Sequence, residues 1–153
     1  MADQAQDVEL KPFVSIIIPC RNEEKFLNNC LQSVLKQDYP KARMEVIIVD
    51  GMSTDKTWGI ADYYREVYGM KVMVNPKKLK APGLNMAVKE SKGERVMILD
   101  AHSRYPQEYI SELMKHDEDN VGGMHREVPR GTSFLAKAII LAKSVVFGVC
   151  RGN

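Results

Sequence analysis

Three apolar runs in this sequence each lead into a short polar cluster that carries an acidic side chain. Residues 13–19 (FVSIIIP) run into Pro19-Cys20-Arg21-Asn22-Glu23-Glu24, residues 45–49 (EVIIV) into Asp50-Gly51-Met52-Ser53, and residues 95–99 (RVMIL) into Asp100-Ala101-His102-Ser103. Aspartate ends strands and caps helices for its own reasons, but three such exits exceed what packing alone requires. Neither G-x-G-x-x-G nor G-x-x-x-x-G-K-[ST] occurs, which argues against a dinucleotide fingerprint and a P-loop. Carboxylates in place of a glycine cradle meet phosphates only across a divalent cation, because bare anions repel. Asp100 and His102, two apart on extended chain, project to the same side. Their carboxylate oxygen and imidazole nitrogen could hold an octahedral ion completed by diphosphate oxygens and water, with the imidazole tilting the choice from magnesium toward manganese. The plainer alternative for this spacing is a capping Asp100 beside a surface His102.

Elements of alternating type would have to place these clusters. The runs at 13–19 and 45–49 read as buried strands and that at 95–99 as a further strand, with a shorter one at 71–74. Between them, Phe26, Leu27, Cys30, Leu31, Val34 and Leu35 recur at helical spacing until Tyr39-Pro40. Ser53-Thr54-Asp55 can cap a helix carrying Trp58, Ala61, Tyr64, Val67 and Tyr68, closed by Gly69, with Trp58 and Tyr64 facing the core. Residues 82–91 read as a third helix with proline in its first turn. Strand and helix alternating every 30–35 residues or so predicts right-handed crossovers and a parallel sheet. Ligands then bind beyond the carboxyl ends of the strands, so the three clusters are expected on one edge. Lys77, Lys78 and Lys80 follow the third strand and read either as a solvated loop or as cations reaching a diphosphate. A helix over 105–115, a short strand or turn at 120–123 and a long apolar helix over 133–146 complete the expectation, with His116 on the surface.

The composition bounds the setting. A chain of 153 residues suits one domain and buries roughly 70% of its unfolded surface without disulfide staples. Hydrophobic residues at 44% and charged residues at 27% exclude a disordered or fibrous protein. A net charge of +2 is too slight for a nucleic-acid footprint. Cys20, Cys30 and Cys150 are widely spaced with no C-x-x-C pair, which fits neither a disulfide framework nor a zinc knuckle and suits a reducing cytosol. Residues 1–12 form a polar extension without the basic and apolar regions of a signal peptide. No run of about 18 apolar residues is present to span a bilayer. A cytoplasmic domain over 13–153 is the expectation.

VSIIIPCRNEE, EVIIVDGMSTDKT and GERVMILDAHSRYP, in this order and spacing, resemble the donor half of a family 2 glycosyltransferase with the GT-A fold. DAHSRYPQEYI followed by DNVGG and FGVCRGN resembles the succinoglycan-type exopolysaccharide glycosyltransferases in particular. The resemblance implies a mostly parallel, Rossmann-like α/β sheet flanked by helices and inverting transfer from a nucleotide-diphosphate sugar to a saccharide or lipid-linked acceptor. It implies that Pro19, Arg21, Asn22 and Glu23 line the nucleoside pocket and that Asp50 contacts base or ribose. Asp100-Ala101-His102 stands where the family carries D-x-D, so that Asp100 and His102 would hold Mn2+ or Mg2+. Two positions depart from the pattern: Gly51, where many members have a second aspartate, and His102 at the third D-x-D position. Pro82-Gly83-Leu84-Asn85 resembles the helix start beside the donor, and His125-Arg126 stands where the family places acceptor-side residues. The usual base lies in an acidic pair beyond the region that FGVCRGN begins, so the expectation is a C-terminally incomplete, donor-binding part, with Glu127 the nearest acidic candidate. Peripheral membrane association is expected only of a longer protein. Two alternatives come from other classes: a non-catalytic nucleotide-sugar-binding module acting with a separate acceptor subunit, and a nucleotidyltransferase. The latter would want a glycine-rich basic loop where Arg21-Asn22-Glu23 stands.

Overall fold

A computed structural model describes residues 11–116, Glu118 and Val121. The elements run β1 (Val14–Cys20), α1 (Leu27–Leu35), a 3-10 turn (Lys41–Arg43), β2 (Met44–Asp50), α2 (Thr57–Tyr68), β3 (Lys71–Val74), α3 (Lys80–Glu90), β4 (Arg95–Ile98) and α4 (Tyr109–Leu113). The four strands form one parallel sheet in the order β3-β2-β1-β4. The chain therefore adds β2 and β3 on one side of β1, then returns through α3 to add β4 on the other. Ile17 of β1 is in register with Ile47 of β2 and Ile98 of β4. Among the described residues no helix is long and apolar enough to cross a membrane.

The reversal sets where the helices go, because a right-handed crossover running the other way lands on the other face. On one face, Ile16, Ile18 and Ile48 pack with Leu27, Cys30, Leu31 and Val34 of α1, with Tyr64 of α2 and with Ile110 of α4. The four α1 residues are spaced i, i+3, i+4, i+7, a single helical stripe. On the other face, Ile17, Ile47 and Val49 pack against Ala87 of α3. Successive β1 side chains thus enter opposite cores, and five consecutive residues from Val14 to Ile18 are buried.

Several expectations are corrected. The second helix begins at Thr57 rather than behind Ser53, because Ser53 and Thr54 give their N–H groups to Asp50 and Asn22 across the loop. Asp55 instead accepts the Thr57 N–H at 2.9 Å. The buried stripe of α2 is Thr57, Ala61 and Tyr64, which leaves Trp58, Val67 and Tyr68 exposed. The helix expected over 105–115 is only Tyr109–Leu113, since Tyr105 precedes Pro106 and is steered out of helical backbone. β4 is a half-buried edge of the described sheet: Met97 packs inward, while Val96 and Ile98 are about half exposed. Gly69 closes α2 in left-handed conformation at φ 67°, as its position in the sequence predicts. Except for Val121, the segments expected at 120–123 and 133–146 lie outside the described residues.

Gly93 joins α3 to β4 where no side chain fits. Its N–H donates to Ser15 Oγ at 2.8 Å, and Ser15 in turn donates to Glu45, whose carboxylate also accepts the Lys92 N–H. A Cβ on Gly93 would lie 2.5 Å from Ser15 N and 2.7 Å from Arg95 O, both backbone atoms. Gly93→Ala should therefore cost about 1–3 kcal/mol of stability, read as a fall in Tm by circular dichroism. Gly59→Ala, in α2 with nothing within 4 Å of the added carbon, should instead raise stability by about 0.4–1 kcal/mol.

Candidate functional site

The carboxyl ends of β1, β2, β3 and β4 lie on one edge of the sheet, as parallel pairing demands. The reversal between β1 and β4 opens a crevice there. Six charged or polar-rimming residues converge on the resulting cleft: Arg21 and Glu23 behind β1, Lys78 and Lys80 behind β3, and Asp100 and His102 behind β4. Pro19, Cys20 and Ala101 are among its walls.

The first two exits are laced together. Cys20 O accepts the Gly51 N–H at 2.8 Å, which extends the β1–β2 ladder by one step. Beyond it, the Asn22 N–H donates to Ser53 Oγ at 2.9 Å and Asn22 Oδ1 accepts the Thr54 N–H at 2.9 Å. The Glu23 N–H donates to Thr57 Oγ1 at 2.7 Å, and Glu24 Oε2 accepts the Lys56 N–H at 3.1 Å. Asp50 is almost fully buried, and its carboxylate accepts both the N–H and the hydroxyl of Ser53. Gly51 gives Arg21 room: a Cβ there would come within 3.3 Å of the Arg21 side chain.

The third exit is folded around Asn75, 3% exposed, whose Nδ2 donates to Leu79 O at 2.7 Å and whose Oδ1 accepts the Lys77 N–H at 3.1 Å. Gly83 of α3 lets the helix press on it, since a Cβ there would meet Asn75 Nδ2 at 2.9 Å. Non-glycine residues in left-handed backbone occur at Asn22 (φ 55°), Met52 (φ 58°) and Lys78 (φ 59°), one behind each of β1, β2 and β3. Such backbone costs of order 1 kcal/mol or more each and tends to gather where function needs it.

Opposite charges meet inside the cleft. Lys80 Nζ lies 2.8 Å from Asp100 Oδ1, and His102 Nδ1 lies 3.5 Å from Glu23 Oε1. Among the described residues no group of three metal-ligating side chains is gathered. Asp100 and His102 do border the same cleft, which fits a cation shared with a bound diphosphate and does not fit an all-protein cage. Holding such an ion through Asp100 Oδ1 would require Lys80 to move off it.

Pro19, Arg21, Glu23, Asp100, Ala101 and His102 are thus brought together. Asn22 and Asp50 are not: their side chains are turned into the laced loops, outside the cleft lining. Glu127, His125 and Arg126 lie outside the described residues. Sequence reasoning passed over Asn75, although an asparagine before proline at a strand exit is a readable turn signal. It also left Lys80 between loop and site, and the structure puts it in the cleft.

The family model for glycosyl transferase family 2 matches residues 15–135. The chain belongs to glycosyl transferase family 2. The dolichyl N-acetyl-alpha-D-glucosaminyl phosphate 3-beta-D-2,3-diacetamido-2,3-dideoxy-beta-D-glucuronosyltransferase of Methanococcus voltae is 33% identical over 77% of this chain and 36% of its own length. The poly(ribitol-phosphate) beta-N-acetylglucosaminyltransferase TarS of Staphylococcus aureus is 39% identical over 57% of this chain and 16% of its own length. The chain thus spans about a third or less of these relatives. Among solved structures, the mannosyltransferase PcManGT of Pyrobaculum calidifontis, in complex with GDP-Man and Mn2+, aligns at TM-score 0.66 and 29% identity over 71% of this chain and 33% of its own. TarS 1-349 with UDP-GlcNAc aligns at TM-score 0.59 and 34% identity over 65% of this chain and 29% of its own. The parallel sheet flanked by helices is accordingly the GT-A arrangement of a family 2 glycosyltransferase.

The cleft's one thiol is inert by construction. Burial, then the Asp50 and Glu23 carboxylates, push the Cys20 thiol up to about 12, and burial followed by Asp100 does the same for Cys30. At pH 8 neither forms appreciable thiolate. Peptide mapping after iodoacetamide should find both unmodified in the native protein and both alkylated in guanidinium. Rapid native labelling of Cys20 would contradict this account of the cleft.

Proposed function

We propose that this chain is the donor-binding part of an inverting glycosyltransferase, which moves a sugar from a nucleotide-diphosphate sugar to a saccharide or lipid-linked acceptor in polysaccharide or glycolipid synthesis. The observation that carries this reading is the convergence of Asp100, His102, Arg21 and Lys80 at the β1/β4 crevice of a family 2 chain. A nucleotide-diphosphate sugar needs cationic groups at its phosphates and a crevice for its nucleoside, and both occur here side by side. The neighbours carrying GDP-Man with Mn2+ and UDP-GlcNAc support the class of ligand and leave the base open. The cytoplasm, or the inner face of a membrane for a longer protein, is the place this reading implies.

In this scheme Asp100 and His102 hold a divalent cation, Mn2+ or Mg2+. Such an ion would neutralise charge gathering on the departing diphosphate. Arg21, Lys78 and Lys80 offer N–H donors to phosphate oxygens without needing a metal. Pro19 and Glu23 wall the nucleoside side, while Asn22 and Asp50 act there through the loop they fix. The acceptor's proton would go to a carboxylate base, for which Glu127 is the candidate within this chain.

Thermal unfolding with UDP, GDP, ADP and dTDP, with and without MnCl2, tests the reading. A nucleotide at 100 times its Kd should add about 2.7 kcal/mol, or roughly 5–10 °C for a domain of this size, and the gain should grow with manganese. Asp100→Ala and His102→Ala should each remove most of the manganese-dependent part. No shift with any nucleotide under either condition would overturn the assignment.

A further inference from the structure

Asp100 stands one residue past the last ladder bond between β4 and β1, in which the Leu99 N–H donates to Ile17 O at 2.9 Å. Its own backbone is secured by a side chain. The Asp100 N–H donates to the Tyr105 hydroxyl at 2.7 Å, and that hydroxyl donates to Asp100 O at 3.2 Å. One oxygen therefore serves both polar groups of the residue. Asp100 O also accepts from the Ser103 N–H at 3.0 Å and from Cys30 Sγ at 3.6 Å.

Tyr105 is itself anchored to the first helix and the residues after it. Its N–H donates to Ser33 Oγ at 3.2 Å, and its ring lies against Tyr109 with centroids 5.0 Å apart. Gln37, 4% exposed, donates through Nε2 to Pro106 O at 2.6 Å and accepts the Ile110 N–H at 3.0 Å. The segment that follows the cleft is thus pinned at 105, 106 and 110. The hydroxyl of Tyr105 carries that fixity to both the N–H and the carbonyl of Asp100, beside the Ser103 N–H and Cys30 Sγ on the carbonyl.

We propose that Tyr105 is a positioning residue for Asp100: its hydroxyl clamps the Asp100 backbone, so that the carboxylate meets a cation-bound diphosphate from a fixed direction. The inference rests on the donor-site role given to Asp100 above. Ring packing alone would be kept by phenylalanine, whereas the clamp would be lost.

The test is calorimetric titration of GDP and UDP into wild type and Tyr105→Phe, each with and without MnCl2. Metal-free nucleotide affinity should stay within about twofold, because the phosphate-facing cations and the loop walls are untouched. The manganese enhancement should fall by about tenfold or more, the usual effect of losing a group that orients a metal ligand. If Tyr105→Phe does not fold, Ser33→Ala carries the test, since it slackens the Tyr105 main chain while keeping the hydroxyl, and a smaller fall in the same quantity is expected. An unchanged manganese enhancement overturns the proposal, as does an equal loss of affinity without metal, which would mark general damage to the cleft. Nucleotide binding by wild type with no manganese enhancement would instead overturn the donor-site role of Asp100, and the positioning proposal with it.

Discussion

The position of β1 is the constraint on which the rest depends. A strand with a neighbour on each side and helices on both faces must bury every side chain it carries, and Val14 to Ile18 do so. Because β2 and β3 are added on one side and β4 on the other, the loops leaving β1 and β4 part at the edge of the sheet. Anything that binds there meets Cys20, Arg21 and Glu23 together with residues 100–102, although they are about 80 residues apart in the chain. The chemistry at the edge is thus a consequence of strand order, which the apolar side chains of both cores enforce.

The loops at that edge are rigid for a second reason. Asn22, Glu23 and Glu24 exchange hydrogen bonds with Ser53, Thr54, Asp55 and Thr57 across a sequence gap of more than thirty residues. Each bond contributes only about 0.5–1.5 kcal/mol net. Together they fix backbone that would otherwise avoid left-handed conformation at Asn22 and Met52. The polar residues here therefore divide the labour. Those whose side chains face the other loop hold shape, and those left over, Arg21 and Glu23, face the cleft.

This division explains what could and could not be read from the sequence. The four strands were legible because β-branched runs ending in aspartate or proline have few other readings, and 71–74 was placed to the residue. The gathering of three exits on one edge followed from parallel pairing. The buried stripe of α2 was not legible: apolar and aromatic side chains occur on most of its sides, so Trp58 and Tyr68 looked as internal as Tyr64. The loop-holding hydrogen bonds of Asn22 and Asp50 were not legible, because a single chain gives no sign of which polar groups satisfy one another. The helix expected over 105–115 was drawn too long at its start, where Pro106 steers Tyr105 out of helical backbone. His102 and Gly51, by contrast, are departures that structure makes sense of locally: one faces Glu23, and the other lets Arg21 lie flat.

Under the proposed donor role, the pairing of Lys80 with Asp100 bears on how a cleft with both charges would serve an anionic ligand and its cation. Both side chains are about half exposed, 58% and 46%. An ion pair so open to water is worth no more than about 1 kcal/mol. A divalent cation arriving with a diphosphate would bring two positive charges to Asp100 and two phosphates for Lys80 to turn toward. Exchange of partners then conserves the number of opposite-charge contacts while replacing a weak, screened pair with shorter, charge-assisted ones. Under the proposed donor role, the lysine would therefore leave Asp100 at small cost when a cation-bound diphosphate enters the cleft.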